Sequence, residues 1–307
     1  MTNSTIIRSF AKINLFLDII GKRPDGYHNI ETIFQAISLS DVIEIALSPA
    51  DIEISCDHPA VPSDESNLAC KAFAGLTGLV GYKGGVRIKI RKTVPPGSGL
   101  GGGSSNAAAT LVSLNRLLDA KLSDEQLRGL AGGIGADVPF FISGGLAAGW
   151  GIGDRVQPLA PVAESSIVVV VPDNIAVSTA AAYSMLAAPD CGQPEPTAFS
   201  GCSERLRDRV KALAPGKSLW ENNAASPFLH NGLERPVFSR YPELSALKSL
   251  LLNAGANGVL MSGSGSAVFG LAQSPEHAQS IGSAVEKAFH CSCFLTQTVG
   301  SGWAWNA

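Results

Sequence analysis

The sequence predicts a mixed α/β (α+β) protein of two domains, each a two-layer sandwich of helices on a sheet. Three observations carry this expectation. Short apolar, strand-like runs alternate with helical segments along the whole chain. A length of 307 residues suits one large domain or two ordinary ones. A hydrophobic content of 45% against 16% charged residues supplies enough apolar surface for real cores.

Residues 6–20 open the chain as a strand closed by Gly21. GKRPDGYH, residues 21–28, is a turn-rich loop around Pro24-Asp25-Gly26. Residues 30–38, 41–47 and 52–56 read as strands, and 67–79 as a helix. Residues 86–91 alternate apolar and charged side chains, the mark of a half-buried strand. Residues 106–118 are rich in good helix formers, with apolar residues at helical spacing. Ser123, followed three positions later by Gln126, is a capping box for a helix at 127–131. A loop follows at 132–141, then a hairpin of 147–150 and 155–158. A boundary falls at 160–166, which divides the chain into domains 1–160 and 161–307.

The second domain opens on an apolar strand at 167–171 and a short helix at 178–186 capped by Ser178-Thr179. A Pro-rich loop is expected at 187–196, with helices at 204–213 and 219–230. Residues 242–254 form a helix ending near Gly255. Strands at 258–261 and 267–270 flank a Gly/Ser turn at 262–266. A helix at 275–290 and a strand at 292–299 close the chain.

A net charge of −3 offers no electrostatic case for nucleic acid or an anionic membrane as partner. No apolar run approaches the roughly 18 residues of a membrane span, and the N-terminus lacks a basic segment followed by an apolar one. The six cysteines form no Cys-x-x-Cys pair, and the five histidines do not stand at zinc spacing around them. A cytoplasmic protein with reduced thiols and no protein-held metal is expected. Cys291 and Cys293 share one face of a strand, where burial is the simpler reading.

Between the strand at 86–91 and the helix at 106–118 lies TVPPGSGLGGGSSNAAA, residues 93–109. A glycine loop feeding a helix N-terminus presents unpaired N–H groups and a partial positive charge, which suits phosphate. Gly97, Gly99 and Gly102 match the dinucleotide spacing G-x-G-x-x-G. Pro95-Pro96 interrupts that pattern, and the acidic residue it needs further on, Asp119 or Asp124, follows no strand. A P-loop requires a lysine where the chain has Gly102-Gly103-Ser104. The third pattern, P-x-x-x-G-L-G-G-G-S-S-N-A-A, fits Pro95 through Ala108 position by position. A flexible linker is the plain alternative, but a linker would not flow into a helix. A Cβ at Gly101 or Gly102 would block close backbone approach to phosphate or strain a positive φ.

Two other stretches join this loop. In Ala11-Lys12-Ile13-Asn14-Leu15, alternation points Lys12 and Asn14 to one strand face, which by itself suits exposure to solvent. In GVLMSGSGSAVF, residues 258–269, a Gly/Ser turn sits inside an apolar hairpin. It is a tight turn, or a backbone that approaches a ligand.

In this order and spacing the three motifs resemble those of the GHMP kinases, among them galactokinase, homoserine kinase and mevalonate kinase, over nearly the whole chain. The opening AKINLFLDIIGKRPDGYHNIETIFQ is similar to the branch of that family whose substrate carries a cytidine diphosphate, in non-mevalonate isoprenoid synthesis. Gly135-Ala-Asp137-Val-Pro139 and the MSGSG run at 261–265 agree with it. Homoserine and mevalonate kinases are not expected to carry the DGYH segment.

The resemblance implies the GHMP kinase fold with its site in the cleft between domains, ATP and Mg²⁺ as cofactors, and a small-molecule alcohol as substrate. It implies a monomer or homodimer. Asp137 would be the general base and Lys12 its neighbour, holding it ionised; by itself Asp137 reads as a turn or N-cap residue. Pro95, Pro96, Gly97, Ser98, Gly99, Leu100, Gly101, Gly102, Gly103, Ser104 and Ser105 would wrap the ATP phosphates, with Ser104 or Ser105 near Mg²⁺. Asn67 and Lys92 would meet the adenosine end, although Lys92 serves equally as a solvated strand end. Asn14 would bind near the acceptor hydroxyl, and Tyr27 and His28 would meet the cytidine half. From the second domain, Thr179 would touch the substrate and Tyr183 would stack on its base, unless that ring simply packs its helix. Asn231-Gly232-Leu233-Glu234 departs from the family's usual Asn-Asp-Leu-Glu, and no step requires that missing acid. The rivals are another GHMP kinase of the homoserine or mevalonate type, a non-catalytic nucleotide-binding protein of that fold, and an oxidoreductase resting on Gly97, Gly99 and Gly102.

Overall fold

A computed structural model describes residues 3–186, 196–225 and 227–306. The expected Pro-rich loop at 187–196 lies, apart from Pro196, outside the described residues. The chain opens with two long antiparallel strands, β1 (Ser4–Lys22) and β2 (His28–Ser48). The break expected within β2 is a bulge rather than an end: Phe10 pairs Ser40, but Ala11 pairs Ile37. The looped-out Ser38 and Leu39 bond the hydroxyl of Thr296 instead, so the bulge is where the C-terminal half attaches.

β3 (Ile52–Cys56), α1 (Leu68–Val80) and β4 (Gly85–Arg91) follow, with β3 parallel to β4. The next helix, α2 (Gly102–Leu117), starts four residues before its expected start at 106. Its first turn is glycine and serine, whose weak helix propensity hides it from local reading. The capping box at Ser123 opens α3 (Asp124–Gly132) as expected. The expected loop at 132–141 gives way at Val138 to α4 (Val138–Ser143), which Pro139 is suited to start. The hairpin β5 (Leu146–Gly151) and β6 (Arg155–Pro158) completes this part.

The second part comprises β7 (Ser166–Pro172), α5 (Thr179–Ser184), α6 (Glu204–Ala212) and α7 (Leu219–Ala225). The helix expected over 219–230 therefore stops early; Pro227 follows, and the chain turns into the two-residue strand β8 (His230–Asn231). Next come α8 (Glu234–Arg240), absent from the expectation, α9 (Pro242–Asn253), β9 (Val259–Met261) and β10 (Val268–Ala272). The chain ends with α10 (Pro275–Ala288), β11 (Cys291–Gln297) and β12 (Trp303–Trp305).

One sheet has the order β12-β1-β2-β4-β3, with β5 on β2, β6 on β5 and β8 on β1; the other runs β11-β7-β10-β9. The expected division at 160 falls in the crossing between β6 and β7, but β8 and β12 return to the first sheet. There β12 pairs β1 and the Trp303 indole donates to the Ile142 carbonyl.

Three apolar cores stack through the molecule. Helices α1, α2 and α4 cover one face of the first sheet through Phe73, Leu111, Phe140 and Phe141. Ile13, Leu15, Phe16, Ile33 and Ile37 on its other face meet Ile167, Val169, Phe269 and Leu271 of the second sheet. Val168 and Val170 point the opposite way, toward α9 and α10. The unbroken apolar run of β7 is thus a strand buried on both faces.

Candidate active site

A cleft of about 1090 Å³ opens between the glycine loop, the middle of β1, the 22–28 loop and the N-terminus of α5. That exceeds the volume of a typical single-ligand pocket. Of the expected site residues it is lined by Lys12, Asn14, Tyr27, His28, Pro95, Pro96, Gly97, Ser98, Gly99, Gly101, Gly102, Gly103, Ser104, Asp137, Thr179 and Tyr183.

Lys12 and Asn14 lie opposite Ala36 and Phe34, on the helix-side face of the first sheet. They are 3% and 2% exposed, so the solvent-facing reading of this strand fails. A buried ammonium must have partners. Lys12 Nζ donates to Asn14 Oδ1 at 2.6 Å, stands 3.3 Å from an Asp137 carboxylate oxygen and lies 5.5 Å from the Phe34 ring centre. Asp137 occupies the N-cap position of α4 yet makes no capping hydrogen bond. Its carboxylate is turned to Lys12 instead, which removes the plain capping reading.

The glycine loop is held at both ends. Lys12 N–H donates to the Leu100 carbonyl at 3.0 Å, and Ala267 N–H donates to the Ser98 carbonyl at 3.0 Å. Ser262 Oγ donates to the Gly99 carbonyl at 3.1 Å. The Gly/Ser turn at 262–266 therefore packs on the loop, and Gly263 and Ser264 line the cleft, two residues absent from the expected site. That turn is braced from behind. Asn231 Nδ2 donates to the carbonyls of Met261 and Gly263, and Glu234 accepts from Met261 N–H. The Asn-Gly-Leu-Glu segment thus works through its first and last residues, not through the position where glycine replaces an acid.

Gly97, Gly99 and Gly101 all have positive φ, at 66°, 81° and 72°. Gly101 is the N-cap of α2, so the loop delivers free N–H groups of the first turn to the cleft. Gly102 behaves differently from the expectation. Its φ is not positive, and a Cβ there would press on Lys92 Nζ and Val94 beneath the loop rather than into a ligand. At Gly101 a Cβ would come within 2.8 Å of the Phe141 ring and 3.1 Å of Lys12 Cγ. The left-handed conformation alone costs a non-glycine residue about 1–2 kcal/mol. Gly101→Ala is expected to weaken ATP binding about tenfold or more, since the overlap adds to that cost. Titration calorimetry with ATP checks this on protein whose circular dichroism is unchanged; wild-type affinity would mean that the loop does not cradle phosphate.

Four expected residues do not reach the cleft. Leu100 is buried at 1% exposure, its side chain in the core between the sheets. Ser105 is buried at 1% exposure, leaving Ser104 as the serine beside the loop. Asn67 caps α1, accepting from Ala69 N–H and donating to the Pro62 carbonyl. Lys92 is neither solvated nor in the cleft: its side chain is 3% exposed and ion-paired at 2.7 Å with the fully buried Asp41. Asp41, which the sequence reading passed over, also accepts from Thr93 N–H, Val94 N–H and Asn106 Nδ2.

At the far end of the cleft the rings of His28 and Tyr183 lie 5.1 Å apart at 31°. It is His28 rather than Tyr27 whose ring meets Tyr183; Tyr27 lines the cleft but is 61% exposed. Burial, then the charge of Lys22, pushes the His28 pKa below the ordinary histidine value, which favours the neutral ring. Burial, then the nearby Asp137 charge, raises the Tyr183 hydroxyl. Thr179 Oγ1 lies 3.1 Å from Ser264 Oγ, linking α5 to the Gly/Ser turn.

Residues 67–145 match the model for the GHMP kinases N terminal domain, and residues 215–291 the model for the GHMP kinases C terminal. The chain belongs to the GHMP kinase family, the class that this loop and these two sheets define. It is 40% identical over 275 residues to the 4-diphosphocytidyl-2-C-methyl-D-erythritol kinase of Gloeobacter violaceus, covering 90% of this chain and 88% of that protein. A crystal structure of 4-(cytidine 5'-diphospho)-2C-methyl-D-erythritol kinase is similar with a TM-score of 0.75 and 34% identity, over 96% of this chain and 100% of that one. The homoserine kinase of Cytophaga hutchinsonii reaches a TM-score of 0.76 at 22% identity, covering 100% of this chain and 98% of its own. The fold therefore does not separate the branches, and the sequence does.

Proposed function

We propose that this protein transfers the γ-phosphoryl group of ATP to the 2-hydroxyl of 4-diphosphocytidyl-2-C-methyl-D-erythritol. The observation that carries the chemistry is the uncapped Asp137 carboxylate, 3.3 Å from Lys12 Nζ beside the glycine loop. The similarity to relatives of that name supports the substrate. It also favours this reading over a homoserine or mevalonate kinase. A non-catalytic binder would need no base, and an oxidoreductase finds no support in the family.

In the reaction the substrate hydroxyl oxygen attacks the γ-phosphorus and its proton passes to Asp137. The bond from the γ-phosphorus to the bridging oxygen breaks, and ADP leaves. Catalysis of this kind is mainly positioning and electrostatic stabilisation. Lys12, paired with Asp137 at 3.3 Å, offsets charge on the transferring group. The N–H groups at the start of α2 take the phosphates. Mg²⁺, when bound with ATP, would neutralise phosphate charge, and Ser104 in the first turn of α2 is the residue suited to hold it. Among the described residues no group of three or more His, Cys, Asp or Glu is placed to hold a metal by itself. The polar substrates and the five free thiols among the described residues fit a cytoplasmic setting, and no described helix is long and apolar enough to cross a membrane.

The His28–Tyr183 pair supplies a flat face for cytosine, and a neutral imidazole offers one donor and one acceptor to its edge. Stacking on a base is worth roughly 1–3 kcal/mol, so Tyr183→Ala is expected to raise KM for the cytidyl substrate about 10- to 100-fold. KM for ATP should stay at its wild-type value. ADP release measured with the cytidyl substrate, its uridine analogue, homoserine and mevalonate tests the assignment. Equal turnover of the cytidine and uridine forms would show that the base is not read. Comparable kcat/KM for homoserine or mevalonate would overturn the substrate.

A further inference from the structure

We infer that Thr32, which does not line the cleft, positions Lys12 by fixing which way the Asn14 amide faces; this rests on the reading of Lys12 and Asp137 above. Thr32 sits in β2 opposite Leu17 and is fully buried. Its hydroxyl lies 2.6 Å from the Phe16 carbonyl and 2.8 Å from Asn14 Nδ2. A hydroxyl carries one proton, and a carbonyl only accepts. The proton is therefore spent on Phe16, and toward Asn14 the hydroxyl can act only as acceptor. That demands a donor, so the Asn14 amide presents Nδ2 to Thr32 and Oδ1 to the opposite side. On that side stands Lys12 Nζ at 2.6 Å. An ammonium has three donors and no acceptor, so it needs the oxygen.

The polarity set at the Phe16 carbonyl thus passes through Thr32 and Asn14 to Lys12. With the amide reversed, two donors would face each other across 2.6 Å in a buried site. Lys12 would lose one of its two anchors and swing on the other, Asp137. With the relay intact, one Lys12 donor goes to Asn14, the ammonium stays ion-paired with Asp137 at 3.3 Å, and donor capacity remains for the cleft that Lys12 lines. Thr32 is therefore a positioning residue, acting through two others.

Thr32→Val keeps the size and β-branching of the side chain and removes both hydrogen bonds. The expected result is a fall in kcat of about tenfold, with KM for ATP within about twofold, because the glycine loop is untouched. Thr32→Ser keeps the hydroxyl and should stay within about threefold of wild-type kcat despite the lost methyl. A role in packing alone predicts the reverse order, since serine leaves a gap and valine does not, and a role in stability alone lowers the melting temperature without lowering kcat per folded enzyme. Wild-type kcat in Thr32→Val, or equal losses in both variants, overturns the relay. Asp137→Asn run in the same assay separates the two readings. If it retains wild-type kcat, the base assignment fails; if it is inactive while Thr32→Val is normal, only the relay fails. Hydrogen exchange of the wild-type Asn14 side-chain amide adds a readout that needs no variant to fold. One of its two protons should exchange slowly, and fast exchange of both overturns the proposal.

Discussion

Replacing Asp137 with asparagine is expected to lower kcat by about 10²–10⁴-fold, the usual contribution of a general base. The substitution keeps size and still offers an oxygen to Lys12, which stands 3.3 Å away. It removes only the capacity to take up a proton. The glycine loop is held by Leu100, Ser98 and Gly99 through backbone contacts that do not involve Asp137. ATP affinity should therefore stay close to wild type, and the loss should fall on kcat. Because Asp137 makes no capping hydrogen bond to α4, thermal stability should fall by no more than the partly exposed pair with Lys12 contributes, far less than activity does. That separates catalysis from helix capping: a cap residue replaced by a good capping residue would change neither property. Steady-state ADP release and a thermal melt check both halves, and a mutant within about threefold of wild-type kcat sinks the assignment of the base.

What could be read in the sequence depended on how local its cause was. The capping box at Ser123 and Gln126 needs only its own four residues, and it is present as written. The alternation of β4 and the apolar run of β7 each report their own burial, and both strands stand where expected. The first turn of α2 was hidden because glycine has poor helix propensity. That turn is stabilised by the setting of α2 on β1 and β2, not by its own residues. β8 has two residues and exists only because β1 lies beside it.

The same rule governs the site. The motifs located the loop, Lys12 and Asp137, but they could not tell a side chain in the cleft from one beneath it. Asn67 and Lys92 flank the loop in sequence or space, yet one caps α1 and the other is sealed against Asp41. Asp41 stood at the start of the strand expected at 41–47, and only the structure shows it inside the longer β2. Its partners at positions 92, 93, 94 and 106 become visible only when β2, β4 and α2 are packed together.

Asp41→Ala is expected to destabilise the protein by about 3–5 kcal/mol, the cost of breaking a buried ion pair from one side. The carboxylate is fully buried and accepts from Lys92 Nζ at 2.7 Å, from Thr93 N–H and Val94 N–H at 2.8 Å, and from Asn106 Nδ2 at 2.9 Å. Its removal leaves the buried Lys92 ammonium, the buried Val94 N–H and the part-buried Thr93 N–H without their acceptor. Lys92 keeps only the Val94 carbonyl, and Asn106 keeps Ser9 Oγ. Total stabilities of domains lie at about 5–15 kcal/mol, so urea unfolding should show a large share of the total lost. Function should follow, because Asp41 joins the strand end that leads into the glycine loop to the helix that leads out of it. Removing it frees the two ends of the loop from each other, and KM for ATP should rise in the fraction that remains folded. Asp41→Ala combined with Lys92→Met removes both charges, and it should recover part of the stability, since an apolar replacement of a buried pair is often close to neutral. It should not recover ATP binding, because the Thr93 and Val94 N–H groups still lack their acceptor. A loss below about 1 kcal/mol in the single mutant would be the behaviour of an exposed pair and would contradict this account of the loop.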